Sequence, residues 1–153
     1  MRTLTSLVAV LALSLAAAGT AQAGTQLSKI LPYPGLVQGN HNAQVNAEYV
    51  VVHNSAAKAK SLRGWFIREK KLKRTFTFPA FTLCGGCSAK IHSGHGTNTA
   101  TDLYWDRASA AWVDIGDTAI LHRAGGLLQG KCVYPKPTGG APPIPVAGKI
   151  FNC

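Results

Sequence analysis

Short runs of β-branched and aromatic residues, separated by glycine, proline, asparagine and serine, recur along most of the chain. In SAKIH (88–92), Ala89 and Ile91 share one face while Lys90 and His92 share the other. Such alternation is typical of strands buried on one side, and helical periodicity is hard to find after residue 23. The pattern predicts an all-β antiparallel sandwich or barrel. The other runs are EYVVVHN (48–54), LRGWFIR (62–68), RTFTF (74–78), AAWVDI (110–115), TAILHR (118–123) and LLQGKCVY (127–134).

The first 23 residues have a different character. Arg2 precedes a short apolar, uncharged run, which is followed by Ala21-Gln22-Ala23. A basic start, a short apolar core and an A-x-A ending are the marks of a secretory signal peptide. The run is too short for a comfortable membrane span. We therefore expect cleavage after Ala23, a secreted (extracellular) protein and no membrane-spanning segment.

The rest of the chain divides by composition into three parts. Residues 24–45 carry proline and turn-forming residues, and are expected to form an N-terminal loop with a short edge strand near Leu27–Leu31. Residues 46–134 hold the strand-like runs and form one domain of ordinary size. Residues 135–153 are rich in proline and glycine, which disfavours regular strands and helices. We expect this tail to be extended and tethered by Cys153.

Positive charge is concentrated in one part of the chain. The formal net charge is +10, and eight of the 16 lysines and arginines fall between residues 58 and 74, opposed there only by Glu69. REKKLKR (68–74) is predicted as a turn between strands, where crowded cations would suit phosphate contacts. The expected partner is an anionic envelope polymer, a nucleic acid or a membrane surface; the alternative is a solvated turn without a partner. The predicted binding residues are Arg68, Lys70, Lys71, Lys73 and Arg74.

The segment TLCGGCSAKIHSGHG (82–96) offers the ligand set of a zinc site in Cys84, Cys87, His92 and His95. A strand between the two pairs would hold them roughly 13 Å apart, whereas zinc needs four converging ligands. Thiol–disulfide catalysis usually needs a helix that acidifies the first thiol, and none is predicted here. A zinc-binding or thiol-redox protein remains the alternative function.

Four cysteines in an exported chain indicate disulfides. Gly85-Gly86 permits the tight turn that a Cys84–Cys87 bridge requires, and Cys132 would then pair with Cys153. The two connectivities that join Cys132 to Cys84 or to Cys87 stay open. The chain has no G-x-S-x-G nucleophile elbow and only six acids. We assign no catalytic residue, metal ligand or cofactor, and expect that the protein is not an enzyme.

Four blocks of sequence occur in an order that resembles a known family. NAEYVVVHNSAAKAKSLRGWFIRE is followed by FTFPAFTL, by HSGHGTNTATDLYWD and by W-x-x-x-GDTAIL. Over residues 46–134 the chain resembles the lamin-tail domains of bacterial secreted proteins. The resemblance implies an immunoglobulin-like β-sandwich that serves as a non-catalytic interaction module. A module that pairs with another protein at a sheet edge is a further alternative.

The blocks also yield expectations for individual residues. Leu62, Trp65 and Ile67 would line the inner face of the sandwich, and Trp105 and Trp112 would close one end. In Gly116-Asp117-Thr118, the Asp117 carboxylate is expected to accept hydrogen bonds from nearby backbone N–H groups, as aspartates in turns do.

Overall fold

The computed structural model describes residues 24–36, 38–136 and 147–153. The predicted signal peptide (1–23) and the middle of the predicted tail (137–146) lie outside the described residues. Nearly every element is a strand, in agreement with the sequence pattern. The elements are β1 (Thr25–Leu31), α1 (His41–Asn46), β2 (Tyr49–Asn54), β3 (Lys60–Ser61), β4 (Phe66–Glu69), β5 (Thr75–Thr77), β6 (Thr82–Leu83), β7 (Ser88–His92), β8 (Asp102–Tyr104), β9 (Asp117–His122), β10 (Leu128–Tyr134) and β11 (Phe151–Asn152).

The strands form two main sheets and a short ribbon. One sheet has the strand order β11-β1-β2-β7-β8, the other has the order β10-β9-β4-β5, and β3 pairs with β6 in the ribbon. Strands β7 and β8 run parallel, and the other paired strands run antiparallel. The prediction of an immunoglobulin-like β-sandwich is confirmed.

Alternate residues of both sheets fill a shared hydrophobic core. The five-stranded sheet contributes Ile30, Val50, Val52, Ile91 and Leu103, and the four-stranded sheet contributes Ile67, Phe76, Ala119, Leu121 and Cys132. Leu62 and Trp65 belong to the same buried cluster, as expected. Full burial of one large aliphatic or aromatic side chain stabilises the fold by about 1.5–3 kcal/mol.

An aromatic cluster lies beside strand β5. Trp105 meets Trp112 edge-on, with 5.6 Å between ring centroids, and lies 5.9 Å from the Phe76 ring. The indole N–H of Trp105 donates a hydrogen bond to the Thr75 carbonyl at 3.1 Å. These contacts fix the segment that follows β8 against the β4–β5 hairpin.

The N-terminal segment differs from its prediction as a loop with a short edge strand. Strand β1 has seven residues and lies between β2 and β11 inside its sheet. A register shift between Leu27 and Lys29 interrupts the alternation of buried and exposed residues, so a period of two is not visible in TQLSKIL. Helix α1 was not predicted either, because its six residues bury only Val45. Asn40 caps it by accepting from the Ala43 N–H at 2.9 Å.

The described end of the predicted tail is part of the fold. Strand β11 pairs with β1, and Cys153 is disulfide-bonded to Cys132 of strand β10. The tail is therefore tethered by Cys153 as expected, and residues 151–152 add an edge strand. No helix in the described part of the chain is long and apolar enough to cross a membrane.

Candidate functional site

The densest basic sequence forms the turn of the β4–β5 hairpin. The Glu69 N–H donates to the Arg74 carbonyl at 2.8 Å and closes the turn. The Glu69 side chain is fully buried, and its two carboxylate oxygens accept from the backbone N–H groups of Lys71 and Leu72 at 2.7 Å each. The buried carboxylate thus fixes the backbone that carries the lysines. We call residues 68–74 the basic hairpin turn.

Four of the five predicted binding residues are exposed on this turn. Arg68 lies on β4 with an exposed side chain, while its neighbours Ile67 and Glu69 are buried. The other three, Lys70, Lys71 and Lys73, lie at the tip. Lys73 has a φ of 58°, a backbone conformation that non-glycine residues adopt mainly in turns. The structure therefore places three exposed cations at the tip of the turn and a fourth at its base.

Arg74, the fifth predicted residue, has a different position. It is half-buried, and its Nη1 donates to the carbonyl oxygens of Ala110 and Ala111 at 2.7 and 2.9 Å. Its guanidinium joins the hairpin to the segment between β8 and β9. This role is structural, and the two carbonyl groups that accept from Arg74 belong to residues 36 and 37 positions away in the sequence.

A second buried carboxylate lies under the turn. Asp117 is 6% exposed, and its Oδ1 accepts from the N–H groups of Thr118 and Lys71 at 2.6 and 3.3 Å. Asp117 thus plays the turn role predicted for it. Burial raises the pKa of Asp117 to about 6, and a hydrogen bond shared with Glu69 adds to the shift. A proton on Asp117 therefore lowers the negative charge under the turn as pH falls towards 6.

The ammonium groups of the turn lysines form no ion pair with a carboxylate within 4 Å in the described ranges. Side-chain ion pairs within 4 Å there are His92–Asp102 and His95–Asp106. The Lys71 ammonium donates only a long, 3.4 Å hydrogen bond to the Ile115 carbonyl. The positive field of the turn is therefore directed at the solvent, where it can act on an anionic partner.

The model of the Lamin Tail Domain family matches residues 26–135, which is well over half of the chain. The chain belongs to the lamin tail domain family. The match begins within β1, twenty residues before the region in which the resemblance was recognised, and so includes β1 and α1. Membership supports an immunoglobulin-like interaction module. No curated protein matches the sequence.

The Cys–His segment of this lamin tail domain contains a disulfide. Cys84 and Cys87 are bonded to each other across the β6–β7 turn, with Cα atoms 5.2 Å apart. Their sulfurs are thus not thiolates, the form in which cysteine binds zinc. Together with Cys132–Cys153, this is the connectivity that the Gly85-Gly86 turn favoured. In the described stretches, no group of three or more His, Cys, Asp and Glu side chains could hold a metal ion.

The two histidines of the segment are held by carboxylates. His92 contacts the Asn46 carbonyl through Nδ1 at 2.7 Å and the Asp102 carboxylate through Nε2 at 2.9 Å, and its ring stacks on Tyr104. The Thr101 hydroxyl and His92 lower the pKa of Asp102. His95 is half-exposed and pairs with Asp106. The partners of the two histidines thus lie in α1, in β8 and in the segment that follows β8.

Glu48 is a buried titratable residue to which the sequence analysis assigned no role. It is 2% exposed, and its Oε1 accepts from the Ser93 hydroxyl at 3.0 Å and from the N–H groups of Ala111 and Trp112 at 2.9 and 2.6 Å. Burial raises the pKa of Glu48 to about 8. The sequence offered one signal of its burial, because Glu48 begins the strand-like run EYVVVHN, which contains several apolar residues. Its contacts tie three distant segments together in the interior.

Proposed function

We propose that this protein is a secreted, non-catalytic lamin tail domain that holds an anionic partner through the basic hairpin turn. One observation carries the proposal. Four exposed cations share a turn whose backbone is fixed by the buried Glu69 and Asp117 carboxylates. A rigid turn reduces the conformational entropy that binding would otherwise cost.

The position of the cations favours an extended polyanion such as an envelope polymer or a nucleic acid. The lysines lie at the exposed tip of a hairpin, which contacts a chain of regularly spaced charges more readily than it encloses a small molecule. Trp65, the nearest tryptophan in sequence, is buried, so it provides no platform for base stacking. We therefore expect binding that depends on charge and salt and shows little base preference.

Three features support a non-catalytic and secreted protein. Ser93 is fully buried and donates to Glu48, and both nitrogens of His92 have other partners, so these groups do not form a nucleophile–base pair. Two disulfides suit an oxidising compartment. The N-terminal sequence has the composition of a signal peptide.

Charge reversal tests the proposal. The triple variant Lys70→Glu/Lys71→Glu/Lys73→Glu should lose retention on heparin and DNA columns, because it replaces the cations of the tip. Arg74 is left unchanged because it binds the Ala110 and Ala111 carbonyls.

The matched control is Lys29→Glu/Lys90→Glu/Lys149→Glu, which changes the net charge equally at exposed positions near β1, β7 and β11. It should elute close to the wild type. Equal elution of the two triple variants would contradict a role for the turn. A thiol count and metal analysis of the native protein test the zinc or redox alternative, which requires free thiols or bound metal.

A further inference from the structure

A second basic region lies at the far end of strand β4. A cleft of about 690 Å³ is lined by Trp65, which directly precedes β4, whereas the lysines of the basic hairpin turn follow the end of β4. Trp65 and Lys70, the first lysine of the turn, are therefore roughly 16 Å apart along the strand. The cleft wall includes Lys58, Lys60 and Arg123, and none of the described residues that line it is acidic. We call it the Trp65 cleft.

Arg123 is held in place by a chain of hydrogen bonds. Its Nε donates to the Gln129 carboxamide oxygen at 2.5 Å, and the Gln129 amide donates to the Thr25 carbonyl at 2.9 Å. The guanidinium lies 5.9 Å from the centroid of the Trp65 ring. Arginine has five N–H donors, and the hydrogen bond to Gln129 uses one of them. The remaining donors of a fixed guanidinium suit a ligand with several oxygen acceptors.

The two lysines of the cleft lie on a fixed segment, Lys58 in the loop after β2 and Lys60 at the start of β3. The Lys60 ammonium is 5.8 Å from the centroid of the Trp65 ring. The buried Asn54 side chain donates to the Lys58 carbonyl at 2.9 Å and accepts from the Ala56 N–H at 3.3 Å. Lys60, which precedes Trp65 in the sequence, and Arg123, which follows it, thus both lie near the Trp65 ring.

The turn closed by the Cys84–Cys87 disulfide, which we call the disulfide turn, packs against the loop that precedes Lys58. The Gly86 N–H donates to the carbonyls of Asn54 and Ala56 at 2.8 and 3.2 Å. A Cβ atom added at Gly85 would collide with the Ala57 carbonyl. The disulfide turn therefore packs against the segment that carries Lys58 and Lys60.

The cleft wall also contains an unsatisfied polar group. Thr25 is 3% exposed, and its hydroxyl has no hydrogen-bond partner within the described part of the chain. Buried hydroxyls are nearly always paired in folded proteins. The Thr25 oxygen is closed to solvent, so the binding capacity of the cleft is attributed to the three cations.

We propose that the Trp65 cleft binds the phosphate group of a small ligand, either inorganic phosphate or a phosphomonoester. Three cations without a carboxylate neighbour in the wall favour a multiply charged oxyanion, and a guanidinium matches phosphate geometry. Trp65 is only 6% exposed, so it holds the cations and gives a nucleobase little surface to stack on. The cleft size is that of small-ligand sites. This site is independent of the polyanion contact proposed for the basic hairpin turn.

An NMR titration of the purified, disulfide-intact protein tests this proposal. Sodium phosphate and glycerol 3-phosphate are added in separate arms, each against sodium chloride of equal ionic strength. The indole N–H of Trp65 and the Nε–H of Arg123 should shift saturably with either phosphate compound and not with chloride. Tighter binding of glycerol 3-phosphate would identify a phosphomonoester as the ligand class, and equal binding would identify the phosphate group alone.

Two neutral variants locate the binding. Arg123→Gln and Lys60→Gln should each weaken phosphate binding about tenfold, the size expected for loss of one charge-assisted hydrogen bond. Lys29→Gln, on the outer surface of the other sheet, should leave it unchanged. Lys60 is exposed, so its variant is expected to fold even if Arg123→Gln does not.

Shifts of equal size in chloride, or unchanged affinity in Lys60→Gln, would overturn the proposal. The triple variant of the hairpin turn should keep phosphate binding, and the cleft variants should keep wild-type column retention. Failure of one proposal is thereby distinguished from failure of the other.

Discussion

The basic hairpin turn presents its cations at the exposed tip of two strands, whereas the Trp65 cleft collects its cations around a buried ring. The turn takes Lys70, Lys71 and Lys73 from one short stretch of sequence. The cleft combines Lys58 and Lys60 with Arg123, which comes from the turn between β9 and β10. Similar charge is thus arranged in two ways, for which we propose two different ligands, a long polyanion at the turn and a small phosphate in the cleft.

The two regions also rest on different supports. The turn lies over the buried carboxylates of Glu69 and Asp117, which accept hydrogen bonds from its backbone. The cleft loop lies over the Asn54 carboxamide and the Cys84–Cys87 turn. Substitutions under one region should therefore affect that region and leave the other intact.

Removal of the Glu69 carboxylate should have the largest effect. Glu69→Ala leaves the N–H groups of Lys71 and Leu72 without their acceptors and should lower the free energy of unfolding by about 3–5 kcal/mol. Urea unfolding measures this loss. Glu69→Gln keeps one oxygen acceptor and should lose about half as much. Phosphate binding in the cleft should persist in both folded variants, and its loss would show that the two regions are coupled.

Asn54→Ala should destabilise the support of the cleft, as Glu69→Ala destabilises the support of the turn. Asn54 is 1% exposed and donates to three carbonyls, those of Lys58, Leu83 and Cys84. Its loss should lower the free energy of unfolding by about 2–4 kcal/mol and weaken phosphate binding. Heparin retention should not change. Asn152→Ala, at an exposed position, serves as the control, and equal stability of the two variants would contradict the support assigned to Asn54.

Gly85→Ala should have a smaller effect confined to the cleft. The added methyl group must displace the backbone at Ala57, and overpacking of this kind costs about 1–3 kcal/mol. Thermal unfolding and phosphate titration should both report the change. Gly130→Ala adds a methyl group with no heavy atom within 4 Å and is the matched control. Wild-type phosphate affinity in Gly85→Ala would show that the disulfide turn does not position the lysines.

Asp117→Asn should produce the smallest effect, visible as a change in pH dependence. The pKa of Asp117 rises from 3.8 to about 6 on folding, so the folded protein binds the proton more tightly than the unfolded chain. The stability contributed by this group is therefore present below pH 4 and falls as pH rises to about 6. The asparagine variant should lack this contribution, so that its stability falls less steeply between pH 4 and 6.

The fall that Glu48 contributes between about pH 4.5 and 8 should remain in Asp117→Asn, because burial raises the pKa of Glu48 from 4.5 to about 8. Urea unfolding between pH 4 and 8 measures both parts. An unchanged profile in the variant would exclude Asp117 as the titrating group under the turn.

The features that could be predicted from the sequence are those whose residues are close together in it. REKKLKR shows its charge density directly, and SAKIH shows its alternation. The role of Arg74 could not be predicted because its acceptors, the Ala110 and Ala111 carbonyls, are brought near only by folding. Strand β1 was obscured by its register shift.

The Trp65 cleft could not be recognised from sequence for the same reason. Lys60 and Arg123 are 63 positions apart in the numbering, and β-sandwich topology alone brings them to one ring. Lysines 58 and 60 were visible as part of the wider basic cluster, but the fold separates them from residues 68–74. Charge density along a sequence thus locates a basic region without revealing how many sites it contains.

The salt dependence of polyanion binding tests the central claim most directly. The logarithm of the affinity for heparin or duplex DNA is plotted against the logarithm of salt concentration for the wild type, for Lys70→Glu/Lys71→Glu/Lys73→Glu and for Lys60→Gln/Arg123→Gln. Each phosphate contact contributes about 0.9 to the slope on DNA, so the turn variant should have a slope smaller by about 3 and the cleft variant should match the wild type. Parallel lines for the wild type and the turn variant would contradict the account.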